Sequence, residues 1–213
     1  RADYGTMRKH HEFWTSDNTD AYERVFMQWG IGHLFPAISM AAHVTASPNH
    51  QTGRSAPLKF RFDVAMSGRL GFELQPCDMT EEDMVFSKRA LAEYKRIRPV
   101  VQFGDLYRLS SPYESRVASL MYVYGKRAVV FAWLMDKWLA DSPPPLRLKG
   151  LNPSARYLVR EINMNEDGSL TDVHERRLGG DFLMDAGIRI RWKKAFQSVC
   201  LEVVETNPDA PAS

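Results

Sequence analysis

The feature that most constrains this chain is one pattern repeated three times within residues 1–98: an apolar run, a polar loop, then a helix-periodic stretch. Parallel strands cannot be joined by a tight turn and need a crossover, usually a helix, so three such units in series predict a parallel sheet. The first unit is bulky over 10–14 and then reads Ser16-Asp17-Asn18-Thr19-Asp20, side chains that bond their own backbone and end a strand. Ala21, Val25, Phe26 and Trp29 follow at helical spacing, with Glu23 and Arg24 on the opposite side and Gly30 as a stop. The second unit reads as a strand over 38–44 covered on both faces, a polar loop over 45–56 and a helix over 58–66. The third is a strand over 68–74, a turn at Pro76 and a helix over 80–97. Thr80-Glu81-Glu82-Asp83 supplies a cap and acids at that helix's positive end, while Lys95, Arg96 and Arg98 complement its negative end. Pro99 predicts its stop.

Beyond Pro99 the runs become short and β-rich: 100–109, 117–124, 127–134, 157–164, 180–185 and 199–204. Gly125-Lys126 fits a two-residue hairpin loop, and Asn152-Pro153 and Asn165-Glu166-Asp167-Gly168 are turn makers. This half predicts an antiparallel sandwich. The expected class is therefore α/β plus all-β, with domains over 1–98 and 99–213 and a frayed tail over 207–213.

Composition removes several functions. A net charge of +2, from 28 basic and 26 acidic residues, gives no electrostatic reason to bind nucleic acid or an anionic membrane. Cys77 and Cys200 cannot build a disulfide framework. No run approaches the roughly 18 apolar residues of a membrane span, so a water-soluble chain is expected, cytoplasmic or periplasmic. His10, His11, His33, His43, His50 and His174 lack any ligand spacing, so no metal is expected. Gly179-Gly180 and the Gly68–Gly71 segment do not make a phosphate loop, and no cofactor is expected. Tyr122, Tyr124, Trp133 and Trp138 suit a carbohydrate platform or, as alternating aromatics in strands, ordinary core packing.

Parallel-sheet enzymes of the barrel type carry their catalytic groups at the carboxyl ends of strands, which makes the loop after Trp14 the candidate site. Asp20, with Glu23 three residues on, suits an N-cap for the helix at Ala21. Asp17 suits either a turn or general-acid work, since partial desolvation against Trp14 would raise its pKa. His43, at the end of the second strand, either faces the same pocket or anchors a loop.

Phe13-Trp14-Thr15-Ser16-Asp17-Asn18-Thr19-Asp20-Ala21 closely resembles a segment of the bacterial α-galactosidases of glycoside hydrolase family thirty-six. Met27-Gln28-Trp29-Gly30, the run from Phe35 to Val44, Asp63-Val64-Ala65-Met66-Ser67-Gly68-Arg69-Leu70-Gly71 and Gly104-Asp105-Leu106-Tyr107-Arg108-Leu109 are similar to further family landmarks, in the family's order. The resemblance implies the last strand-helix units of a (β/α)8 TIM barrel followed by a C-terminal antiparallel β-sandwich. It also implies retaining hydrolysis of terminal α-D-galactosides of the melibiose or raffinose type, in a full-length enzyme that is a homo-oligomer. Asp17 matches the general acid/base, which protonates the glycosidic oxygen, later deprotonates the attacking water and lies against the sugar. Asn18 and Asp20 match the motif without matching a catalytic role.

The family's nucleophile sits in a Lys-Trp-Asp segment; here Lys137-Trp138 is followed by Leu139. Its glycine-rich cysteine motif would end at about Arg1. Retention needs two carboxyl groups about 5 Å apart, so these residues by themselves are expected to be an inactive C-terminal fragment whose open barrel edge must be covered. The alternative is a non-catalytic carbohydrate-binding or oligomerisation module.

Overall fold

In the computed structural model, residues 3–137, 143–164 and 168–206 are described, and the chain divides into two units, Arg1–Phe103 and Gly104–Ser213. Trp138, Leu139, most of the turn expected at 165–168 and the tail expected to fray lie outside the described residues.

In the first unit, strands β1 (Phe13–Trp14), β2 (Met40–Thr45) and β3 (Arg69–Glu73) form a parallel sheet in the order β1-β2-β3. Helix α1 (Tyr4–Met7) precedes them, α2 (Ala21–Ile31) and α3 (Leu58–Met66) connect them, and α4 (Glu81–Phe103) follows β3. Spatial order equals sequence order, as crossover helices between parallel neighbours require. β2 is the central strand, and Met40, Ala41, Ala42 and Val44 are buried, which explains their unbroken apolar run. Trp14 pairs with Ala41, and His43 with Gly71. The carboxyl ends of β2 and β3 therefore lie side by side at Thr45 and Glu73, while β1 ends opposite Ala41. Among the described residues neither β1 nor β3 has a second strand partner.

Four local expectations need correction. The run over 10–14 makes only a two-residue strand. α2 continues through Gly30 to Ile31, and Gly32 caps it. Arg24, expected on the solvent side of α2, is buried at 2% exposure because three oxygens receive its guanidinium. α4 starts at the expected cap, where Thr80 Oγ1 accepts from the Asp83 amide and Asp83 Oδ2 accepts from the Thr80 amide. It then runs through Pro99 to Phe103, so 100–103 is helical. An interior proline costs about 3 kcal/mol, and burial of Ile97, Val100 and Val101 offsets it.

The second unit is a six-stranded antiparallel sheet of β4 (Asp105–Ser110), β5 (Val117–Tyr124), β6 (Arg127–Leu134), β7 (Arg156–Ile162), β8 (Arg176–Gly179) and β9 (Gln197–Thr206). Their order is β4-β5-β6-β9-β7-β8. β5 and β6 meet through Gly125-Lys126, with Gly125 at φ +58°, a left-handed conformation that glycine adopts without penalty. One face packs Met121, Val130, Leu201 and Val159 against Leu146, Leu148, Leu183 and Ile188, a second layer tied by bridges Leu146–Ile188 and Thr171–Ile190. The run at 180–185, expected as a strand, is helix α5 (Gly180–Asp185). Leu183 alone of its large side chains is fully buried, with Phe182 exposed, so it follows a helical turn rather than a strand face.

Candidate active site

The loop between β1 and α2 is held by a stepwise series of side chain to backbone bonds. Ser16 Oγ accepts from the Asn18 amide at 3.1 Å, Asn18 Oδ1 from the Asp20 amide at 3.1 Å, and Asp20 Oδ1 from the Tyr22 amide at 2.9 Å. The even-numbered residues thus make the turns and the cap. The odd-numbered side chains point to other partners. Thr15 Oγ1 accepts from Arg24, and Thr19 Oγ1 accepts from Asn49 Nδ2 in the loop beyond β2, while the Thr19 carbonyl accepts from Thr45 Oγ1 at the end of β2. Among the described residues Asp17 receives only the Trp14 indole: Nε1 donates to Oδ1 at 3.1 Å.

The two acids of the loop therefore differ in duty. Asp20 is 2% exposed; besides capping α2 it accepts from Thr52 Oγ1 at 2.7 Å and pairs with Arg54. Its carboxylate is fully committed to structure. Asp17 is exposed, and its carboxylate takes no backbone N–H. The expected aromatic wall that would desolvate Asp17 is not what the structure builds, because the indole approaches through its polar edge and the carboxylate stays in water. Trp14 holds Asp17 rather than drying it.

Trp14 is itself braced. The His43 ring lies 4.5 Å from the Trp14 ring, tilted by 50°, and the Arg24 guanidinium carbon lies 4.9 Å from the indole. Arg24 is anchored beneath by Thr15, by the Ser16 carbonyl and by the Ala41 carbonyl, the last at 2.8 Å. Burial pushes its pKa down to about 10, and the Glu73 carboxylate opposes that shift, so it remains a cation at neutral pH. His43 Nδ1 stands 3.9 Å from Glu73 Oε2, at the end of β3. On Gly71 a Cβ would lie 2.5 Å from His43 Cδ2 and 2.6 Å from Nε2, so the imidazole occupies the space that glycine leaves. Sequence reasoning placed His43 at the strand end but missed Arg24, Gly71 and Glu73. Strand register, which aligns these positions, was the missing signal.

His43 also carries a pH signature. Burial holds its pKa below the ordinary histidine value; Arg24 pushes the same way, and Glu73 and Glu12 oppose. The unfolded imidazole titrates near 6.5, so between the folded and unfolded values the unfolded chain binds more protons. The contribution is fully present above about pH 6.5 and is lost as pH falls toward the folded value. His43→Gln should reduce the loss of stability between about pH 7.5 and about pH 5, read as urea midpoints. Equal losses in parent and variant would assign the acid sensitivity elsewhere.

Among the described residues no His, Cys, Asp and Glu cluster could hold a metal, and no helix is long and apolar enough to cross a membrane. Tyr122 and Trp133 are buried at 3% and 2%, and Trp133 stacks on Phe131 at 5.8 Å, so they pack inside rather than form a platform. Tyr124 is exposed.

Comparison with known proteins assigns this site a family. A family model described as Melibiase matches residues 1–104, and one described as the Glycosyl hydrolase family 36 C-terminal domain matches residues 117–203. The chain belongs to glycoside hydrolase family 36. It is 38% identical over 198 residues to Alpha-galactosidase AgaA of Geobacillus stearothermophilus, covering 92% of this chain and 25% of that protein. It is 35% identical to Alpha-galactosidase 2 of Hypocrea jecorina over 93% of this chain and 25% of that protein. The crystal structure of the α-galactosidase from Lactobacillus brevis matches with a TM-score of 0.84 and 32% identity, over 99% of this chain and 28% of that one. The galactosidase domain of the α-galactosidase-sucrose kinase AgaSK matches with a TM-score of 0.86 and 30% identity, over 96% and 27%. Variants of the Geobacillus AgaA have been solved in complex with raffinose and with stachyose. The chain spans about a quarter of the length of the relatives it matches. As a family 36 chain, it combines the end of a TIM barrel with a β-rich C-terminal domain.

Proposed function

We propose that these residues supply the acid/base part of a retaining α-galactosidase active site, with Asp17 as the general acid/base and the nucleophile contributed by barrel residues outside this chain. One observation carries the reading. Of the two carboxylates in the loop at the end of β1, Asp20 is consumed by the cap and Arg54, whereas Asp17 is exposed and held by a single donor on Oδ1. An acid/base must reach the glycosidic oxygen from a strand end with one oxygen available to carry the proton. The relatives' complexes with raffinose and stachyose support an α-galactoside as substrate. The barrel portion through residue 98 and the sandwich beyond it, in a homo-oligomeric enzyme, belong to the same reading. The carbohydrate-module alternative is weakened, since two of its four platform aromatics, Tyr122 and Trp133, are buried.

The test is stereochemical. Raffinose hydrolysis by a polypeptide carrying these residues with a complete barrel, followed by proton NMR, should release α-galactose first, because two successive inversions retain configuration. Initial β-galactose would overturn the reading. These 213 residues alone should show no turnover; activity from them alone would mean that a second carboxylate among them acts as nucleophile.

A further inference from the structure

The loop series spends the side chains of Ser16, Asn18 and Asp20 on backbone amides and leaves the orientation of Asp17 to one bond, from Trp14 Nε1 to Oδ1 at 3.1 Å. An exposed carboxylate on a loop has free rotation about two side-chain torsions unless something restrains it. Trp14 provides the restraint, and three strands restrain Trp14: it leaves the end of β1, meets the His43 ring from β2 at 4.5 Å, and His43 fills the space over Gly71 on β3. Arg24, rising from α2 and bonded to the Ala41 carbonyl, lies 4.9 Å from the same indole.

We propose that Trp14 is the positioning residue for the acid/base: its indole N–H fixes Oδ1 of Asp17 so that Oδ2 is the oxygen that exchanges the proton with the glycosidic oxygen and then with water. This rests on the reading of Asp17 given above. The indole itself exchanges no proton. It restricts the carboxylate to the orientation in which Oδ2 faces the scissile bond, and the cluster of His43, Gly71 and Arg24 keeps the indole edge in place. Misplacing a reacting group by about 1 Å can cost on the order of 100-fold in rate, so the positioning is felt only where proton transfer is needed.

The experiment uses the enzyme with its complete barrel and compares kcat/KM for two substrates. From raffinose the leaving group is a sugar alkoxide, which requires the proton; from a 2,4-dinitrophenyl α-galactoside it is a stabilised phenolate, which does not. Trp14→Phe keeps a ring against His43 and removes the N–H donor. It should lower kcat/KM on raffinose by about 10- to 100-fold and change that on the dinitrophenyl substrate by less than about threefold, with an unchanged melting temperature. Equal losses on both substrates, or no loss on raffinose, overturn the proposal. Should Trp14→Phe fail to fold, Gly71→Ala carries the same test, since its methyl would meet His43 Cδ2 at 2.5 Å and force that ring from its place against Trp14, leaving the indole N–H intact. A loss confined to raffinose supports the proposal, and an equal or absent loss overturns it. Asp17→Asn, run alongside, separates this from the underlying reading: if raffinose hydrolysis survives that change, Asp17 is not the acid/base at all. If Asp17→Asn abolishes it while Trp14→Phe leaves it intact, only the positioning role fails.

Discussion

Asp17→Asn in the enzyme with a complete barrel is expected to lower kcat on raffinose by roughly 100- to 10,000-fold, the usual worth of a general acid/base. The amide is nearly isosteric, and Asp17 is exposed and supports no backbone amide or ion pair, so the fold should be untouched. The pattern across substrates is as informative as the size. With a dinitrophenyl leaving group the first step needs no proton, so the covalent intermediate forms at nearly the parent rate. Its hydrolysis still needs the base, so the intermediate accumulates, and kcat and KM fall together. Intact-mass measurement during turnover should show protein carrying one galactosyl group. Near-parental kcat on raffinose would remove Asp17 from the mechanism, and the site would then need another proton donor.

The largest stability effect is expected at α3, where Lys59 and Asp63 form an ion pair at 2.6 Å with side chains only 5% and 0% exposed. Taking both charges out of water is expensive, and each makes the other tolerable only while both are present. Asp63→Ala leaves an uncompensated ammonium inside the first unit and should cost about 3–5 kcal/mol. The double replacement Lys59→Met with Asp63→Leu removes both charges and should recover most of that loss, because well-packed apolar residues of similar volume replace a buried pair at little net cost. Urea titration of all three proteins measures it. A loss below about 1 kcal/mol for Asp63→Ala would mean that Lys59 can swing out to water. Both residues lie one turn apart on a helix whose other side chains, Phe60, Phe62, Val64 and Met66, are also buried. Pairs at this spacing ordinarily sit on the solvent face of a helix, but here the flanking side chains are themselves buried.

That pair shows where sequence reasoning reaches its limit. The helix over 58–66 was legible residue for residue, and so were the strands over 117–124 and 127–134, because periodicity and turn residues are local properties. Local rules failed where a distant partner overrode them. Pro99 stops a helix in isolation, yet burial of the residues around it carries α4 onward. Arg24 belongs on a solvent face by charge alone, yet backbone oxygens of other segments receive it. The run at 180–185 lies among strands in the sequence, but its burial follows one helical turn.

The candidate site divides along the same line. Sequence alone specified the family motif, the parallel order of three strand-helix units, the cap at Asp20 and the presence of Asp17 at a strand end. These follow from residue types and spacings within one short segment, where chain connectivity already holds the partners together. The tertiary structure decided which acid is free and what holds it: Arg54 consumes Asp20, the indole of Trp14 takes Asp17, and His43 and Arg24 brace that indole. Apart from the Trp14–Asp17 bond, which spans three residues, those contacts join different elements of the fold, and their geometry exists only once strand register has set His43 beside Gly71 and Trp14 beside Ala41.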